Sequence, residues 1–105
     1  MGFFDFLTGG NKGPDYNINE AADYLKKDPA AILLDVRETD EYADGHIPGS
    51  MNIPLSVIRS VPVNLPEKGT PVYVYCQSGM RSGKAADFLK QQGFTDVRDL
   101  GGISR

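Results

Sequence analysis

Hydrophobic positions along the chain follow two different spacings. Residues 30–34 are apolar without a break, which indicates a strand covered on both faces, and residues 72–75 are β-branched or aromatic throughout. Residues 19–25 and 82–92 instead carry apolar side chains at helical spacing. Strands that alternate with helices predict an α/β fold, with a mainly parallel sheet flanked by helices on both faces.

Polar residues, glycines and prolines mark where these elements begin and end. Asn19 is the expected cap of the first helix, with Ala21, Ala22 and Leu25 facing inward. Thr39 is the expected cap of a second, short helix. Gly45 is expected to end the second helix and Gly93 the last one. The remaining elements are short, with strands expected at 51–53 and 97–100 and a weak helix at 55–59.

The length and charge of the chain limit the classes of function that it can have. At 105 residues it forms one small domain that buries about 65% of its unfolded surface. A net charge of −3 without a basic block argues against nucleic acid as a partner. No apolar stretch reaches the length of a membrane span, and no secretory signal is evident at the start, so we expect a cytoplasmic protein.

We expect the first 14 residues to form a separate arm ahead of a domain at residues 15–105. Apolar side chains dominate its start, and glycines cut it off from the rest: Phe3, Phe4, Phe6 and Leu7 precede Gly9 and Gly10. Asp5 and the lack of a basic residue beside them disfavour a membrane anchor. We expect the arm to dock on its own domain.

Cys76 is the only cysteine, which excludes an internal disulfide and an all-cysteine metal cluster. It follows the strand at 72–75 and precedes a helix, at the edge where open α/β sheets bind ligands. Loop N–H groups and the helix dipole there favour the thiolate, and Gly79 permits a tightly curled backbone. We therefore predict a reactive, partly exposed thiolate in an anion cradle rather than a core thiol. The cradle residues are Gln77, Ser78, Gly79, Met80, Arg81 and Ser82.

Arg81 of this loop and three residues outside it, Asp35, Arg37 and His46, are further candidates for the site. Arg81 either grips an anion or pairs with an acid such as Glu38, and both interpretations stay open. His46 lies in a rigid turn, which favours hydrogen bonding to the backbone over a Cys–His dyad. Asp35 and Arg37 share one strand face at the same sheet edge, where we expect them to tie loops together.

Three segments together resemble the rhodanese fold. Residues 33–54 are similar to the family's first signature, residues 76–82 to its active-site loop, and residues 97–102 to the segment before its last helix. The resemblance covers about residues 16–105. It implies a single-domain sulfurtransferase that needs no metal or cofactor.

The resemblance also implies roles for the residues of the loop. Cys76 would take a sulfane sulfur from a donor such as thiosulfate and become a persulfide, which cyanide or a thiol then attacks. The amides from Gln77 to Ser82 would stabilise the charged sulfur, and Arg81 would attract the anionic donor. A protein acceptor is also compatible, and we expect a monomer.

Two rival functions and one departure accompany this resemblance. A sulfur carrier or docking module with little turnover is the first rival. A phosphatase or arsenate reductase is the second, although only four residues separate Cys76 from Arg81, a loop one residue shorter than in those enzymes. The chain stops at Arg105 without a Trp, so we expect the family's last helix to be missing or truncated, and a longer form to be more stable.

Overall fold

The computed structural model describes residues 16–60, residue 65 and residues 67–103. The helices and strands follow one another in the order that the apolar pattern predicts. In chain order they are a 3-10 turn at Ile18–Glu20, α1 at Ala21–Lys27, β1 at Ile32–Asp35, α2 at Thr39–Asp44, β2 at Met51–Asn52, a 3-10 segment at Leu55–Ser60, β3 at Val72–Cys76, α3 at Met80–Gln91 and β4 at Val97–Gly102.

The four strands form one parallel sheet in the order β2-β1-β3-β4. Asp35 pairs with Tyr75, and Cys76 pairs with Gly102, so the carboxyl ends of β1, β3 and β4 meet at one edge. This arrangement confirms the predicted α/β fold. It also explains why residues far apart in sequence meet beside Cys76.

Apolar side chains pack on both faces of the sheet, and the helices divide between the two. Leu34 and Val74 lie in a cluster with Ala85 and Leu89 of α3. Alternate residues point the other way: Leu33, Tyr73, Tyr75 and Leu100 pack with Ala21 of α1. Full burial of one such side chain stabilises the fold by about 1.5–3 kcal/mol. The unbroken apolar run before Asp35 is therefore a strand with a core on each side.

Helix starts differ from the expected ones by one or two residues. Asn17, rather than Asn19, caps the first turn, since its side chain accepts the N–H of Asn19. Glu38, rather than Thr39, caps α2 through a reciprocal capping box with Glu41. Ala22, expected to face inward, is exposed. At both helix starts several polar residues precede the helix, and the direction from which the chain enters decides which of them is the cap.

A bulge in β4 brings two glycines beside the end of β3. Val74 pairs with Asp99 and Tyr75 with Gly101, which leaves Leu100 as the extra residue. The Asp99 carboxylate accepts the N–H of Gly101 at 2.9 Å and fixes the bend. β4 therefore continues to Gly102, two residues beyond the predicted strand.

Two predictions fall outside the described residues. The arm at residues 1–14 is one, and the missing or truncated last helix beyond Ile103 is the other. Among the helices that are described, none combines the length and the apolar character needed to cross a membrane.

Candidate active site at Cys76

Cys76 is the last residue of β3, and its sulfur lies under the loop that follows. The Sγ atom accepts the backbone N–H of Gly79 at 3.0 Å and that of Ser82 at 3.2 Å. Two amide dipoles directed at one sulfur stabilise a negative charge there. The thiol was expected to be partly exposed, but Cys76 is 0% exposed, because the curled loop covers the end of a central strand.

The loop curls because Gly79 adopts a left-handed backbone conformation, with φ of 102°. Glycine reaches this conformation without the steric cost that other residues bear. Gly79 is also the N-terminal cap of α3, and its carbonyl accepts the Ser82 hydroxyl at 3.0 Å. The turn thus directs one amide toward the sulfur and starts the helix that supplies the other.

Gly102 of β4 lies directly against the loop. A Cβ atom at this position would come within 2.6 Å of the Gln77 carbonyl oxygen and of the Ser78 carbonyl carbon. Ile103, the next residue, also contacts the start of the loop, since its N–H donates to the Cys76 carbonyl at 2.8 Å. The end of β4 therefore fixes the loop, and only a residue without a side chain fits there.

Arg81 is engaged by a carboxylate of α2. Its Nη1 and Nη2 atoms contact the Oε1 and Oε2 atoms of Glu41 at 2.6 and 2.9 Å. The structure thus shows the acid pairing, although the acid is Glu41 rather than Glu38. The guanidinium, through this hydrogen bond, lowers the pKa of Glu41 to about 2, and Glu41 in turn raises the pKa of Arg81.

Asp35 and Arg37 form a buried ion pair beneath the loop. The Arg37 Nη2 atom contacts an Asp35 carboxylate oxygen at 2.8 Å, and the hydrogen bond to Asp35 raises the pKa of Arg37. The same guanidinium donates to the Gly45 carbonyl at 2.7 Å and to the Gln77 side-chain oxygen at 3.3 Å. One buried side chain therefore joins β1, the turn after α2 and the Cys76 loop.

His46 is held by its own turn. Its Nδ1 atom lies 2.7 Å from the Tyr42 carbonyl oxygen, and its ring stacks on the Tyr42 ring at 3.6 Å between centroids. The hydrogen-bond donors to Cys76 Sγ described above are backbone amides. The geometry of the sulfur site is thus built from the main chain rather than from an imidazole.

The outer rim of the loop is exposed. Gln77 is half-buried, Ser78 is exposed, and Met80 is 71% exposed. Within the described ranges, no group of three His, Cys, Asp or Glu side chains could hold a metal ion. The site presents a buried sulfur below an exposed rim that carries one large apolar side chain.

Two residues of the site were missed as such in the sequence. Glu41 lies 40 positions from Arg81, and Gly102 is paired with Cys76 only through the β4 bulge. A signal for Glu41 existed, since Glu38 and Glu41 have the spacing of a capping box that would place both carboxylates near one helix start. No comparable signal identified Gly102.

Comparison with known proteins gives consistent matches. The family described as Rhodanese-like domain matches residues 17–105. YqhL of Bacillus subtilis, an uncharacterized protein, is 46% identical over 72 residues, which are 69% of this chain and 56% of that protein. The chain thus spans just over half the length of that relative.

Two further matches concern proteins with a named activity. The thiosulfate sulfurtransferase PspE of Escherichia coli is 37% identical over 71 residues, 67% of this chain and 68% of that protein. The solved structure of the human single-domain sulfurtransferase TSTD1 superposes with a TM-score of 0.72 at 29% identity, and the match covers 86% of this chain and 90% of that one. Both matches agree with the resemblance noted in the sequence.

Proposed function

We propose that this chain, which belongs to the rhodanese-like domain family, transfers sulfane sulfur through a persulfide on Cys76. The donor is a compound such as thiosulfate, and the acceptor is cyanide or a thiol. The observation that carries the proposal is the pair of N–H groups, from Gly79 and Ser82, that point at Sγ. The activity in PspE's name supports the same chemistry.

The first half-reaction moves one neutral sulfur atom onto the enzyme. The Cys76 thiolate attacks the outer sulfur of thiosulfate, a new S–S bond forms, and the old S–S bond breaks. Sulfite leaves with the electron pair of the broken bond, and the persulfide keeps the single negative charge of the thiolate. The amides at Sγ and the start of α3 stabilise that charge without any proton transfer.

The second half-reaction returns the enzyme to its first state. Cyanide attacks the outer sulfur of the persulfide, the S–S bond breaks toward Cys76, and thiocyanate leaves. A thiolate acceptor reacts in the same way and departs as a new persulfide. In this scheme the loop residues from Gln77 to Ser82 bind and orient, and the Asp35–Arg37 pair supports the loop from below.

Intact-mass spectrometry tests the proposal directly. The protein incubated with thiosulfate should gain the mass of one sulfur atom, and cyanide should remove it with release of thiocyanate. The Cys76→Ser variant should show no gain, whereas Ser78→Ala, which changes an exposed side chain of the same loop, should still gain the sulfur. A chain that acquires no sulfur from thiosulfate or from a small persulfide would contradict the proposal.

A second candidate function is a sulfur carrier that docks on a protein acceptor. The exposed Met80 side chain at the rim favours it, since large apolar side chains at a rim suit contact with another protein. On this candidate, Met80→Ser would slow transfer to a protein acceptor but not to cyanide. Hydrolysis of phosphate esters is expected to be absent in either case.

The proposal also includes a monomeric state and a cytoplasmic location. Size-exclusion chromatography with light scattering tests the first, and cell fractionation tests the second. A dimer, or recovery with the membrane fraction, would correct these parts without touching the chemistry at Cys76.

A further inference from the structure

The guanidinium of Arg81, in the first turn of α3 beside the Cys76 loop, is already occupied. Arg81 directs two N–H groups at the two carboxylate oxygens of Glu41, at 2.6 and 2.9 Å. Such a bidentate pair uses the fork with which arginine otherwise grips an oxyanion. Both side chains remain about 30% exposed, so the pair lies at the protein surface rather than in the core.

Neighbouring side chains make the net charge of this surface negative. Glu38 lies beside the pair, because its backbone N–H donates to Glu41 at 2.8 Å and its negative charge contributes to the raised pKa of Arg81. The Arg37 guanidinium does not offset it, because Asp35 balances that charge. Arg81, Glu41 and Glu38 together carry one more negative than positive charge.

We propose that Glu41 is a specificity-determining residue that compensates Arg81 and so favours sulfur donors with one negative charge over dianionic thiosulfate. This inference rests on the proposed sulfur transfer. The favoured class comprises alkyl persulfide anions and organic thiosulfonates. Glu41 contacts Arg81 rather than the sulfur, so it acts as a positioning residue.

A matched pair of donors isolates the effect of charge. Thiosulfate gives its outer sulfur to the Cys76 thiolate and leaves as sulfite, with two negative charges. Benzenethiosulfonate undergoes the same S–S cleavage and leaves as benzenesulfinate, with one. In both reactions the leaving group takes the electron pair of the broken bond, and the intrinsic difference between the two leaving groups cancels when the ratio of the two rates is compared between a variant and the wild type.

Glu41→Gln is the variant of choice because it removes the charge and keeps the helix cap. A glutamine side-chain oxygen still accepts the Glu38 N–H, as the capping-box pattern allows. Asp40→Asn is the matched control, since it removes the same charge from the same helix at an exposed neighbouring position. Any general effect of net charge should appear equally in both variants.

Single-turnover persulfide formation, followed by mass spectrometry at low donor concentration, measures the selectivity. Glu41→Gln should raise the rate with thiosulfate about fivefold relative to that with benzenethiosulfonate, and Asp40→Asn should leave the ratio unchanged. In an Arg81→Met background the gain should fall to about twofold or less, because no guanidinium fork is freed.

Each negative result has a distinct meaning. If all proteins form the persulfide and Glu41→Gln leaves the donor ratio unchanged, or Asp40→Asn shifts it as much, the role of Glu41 is refuted and the sulfur transfer stands. An equal gain with and without Arg81 would also overturn the compensation of that residue. If the wild type takes sulfur from neither donor, the proposed function itself fails.

Discussion

At the scale of single residues, Gly102 places the tightest restriction on the active-site loop. A Cβ atom there would lie 2.6 Å from backbone atoms of Gln77 and Ser78, which cannot move aside as a side chain can. We expect Gly102→Ala to shift the loop, lower the rate of persulfide formation more than tenfold and destabilise the fold by about 1–3 kcal/mol. Single-turnover kinetics and urea unfolding measure the two effects.

The control for this prediction is another glycine of the chain. A Cβ atom at Gly69 would meet nothing within 4 Å, and the Gly69 backbone is not left-handed, so Gly69→Ala should leave the rate unchanged. A Gly102→Ala variant that forms the persulfide at the rate of the wild type would show that the loop does not depend on this contact.

The residues of the site were predictable from the sequence to different degrees. Cys76 and its loop were identifiable because the chemistry and the turn lie in one continuous segment. The partner of Arg81 was not, because Glu38, the acid named from the sequence, and Glu41 lie close together at the start of α2, and the choice depends on how they share the helix cap. Local pattern identifies a reactive group, whereas tertiary geometry decides what neutralises it.

At the scale of elements, Arg37 connects three segments that are distant in sequence. It contacts Asp35 of β1, the Gly45 carbonyl after α2 and Gln77 of the active-site loop. Removal of one partner from a buried ion pair leaves an uncompensated charge and costs about 3–5 kcal/mol. We therefore expect Arg37→Met to lower the free energy of unfolding by about that amount and to slow persulfide formation.

An exposed arginine supplies the comparison for this substitution. Arg59 lies on the 3-10 segment with its side chain exposed, so Arg59→Met should change stability by less than about 0.5 kcal/mol. Urea denaturation of both variants checks the prediction. Equal stability of the Arg37 and Arg59 variants would mean that the segments hold together without the buried pair.

The order and type of the elements followed from the apolar pattern, but their ends did not. β1 and β3 were predicted because alternate residues face two cores, and a short continuous apolar run is typical of a strand buried on both faces. The extension of β4 to Gly102 depends on a bulge at Leu100, which no local pattern in the chain indicates. Pairing with β3 therefore determines where β4 ends, which the sequence alone does not indicate.

At the scale of the whole molecule, parallel pairing gathers the chemistry at one edge of the sheet. Asp35, Cys76 and Gly102 end adjacent strands, and α2 and α3 begin just beyond that edge with Glu41 and Arg81. The Glu41–Arg81 pair consequently joins the first half of the chain to the second. Its strength should be visible in how the stability of the entire fold depends on pH.

The dependence on pH follows from the lowered pKa of Glu41. This pKa is about 2 in the fold and 4.5 ordinarily, chiefly because Arg81 donates hydrogen bonds to the carboxylate. A carboxyl group whose pKa is lower in the folded state stabilises the fold above its ordinary pKa, and this contribution is lost as the pH falls toward 2. Since the pair is partly exposed, its contribution should be at most about 1 kcal/mol.

We therefore expect the wild type to exceed Glu41→Gln in stability by up to about 1 kcal/mol at pH 6, and the difference to shrink steadily between pH 4.5 and pH 2. Urea denaturation at several pH values in this window measures it, with Asp40→Asn as the variant that lacks a charge but keeps the pair. A difference that stays constant down to pH 2 would mean that Glu41 stabilises the fold independently of its charge on Arg81, since glutamine keeps the cap on α2. The same result would weaken the assignment of donor selectivity to that charge, because both effects depend on one ion pair.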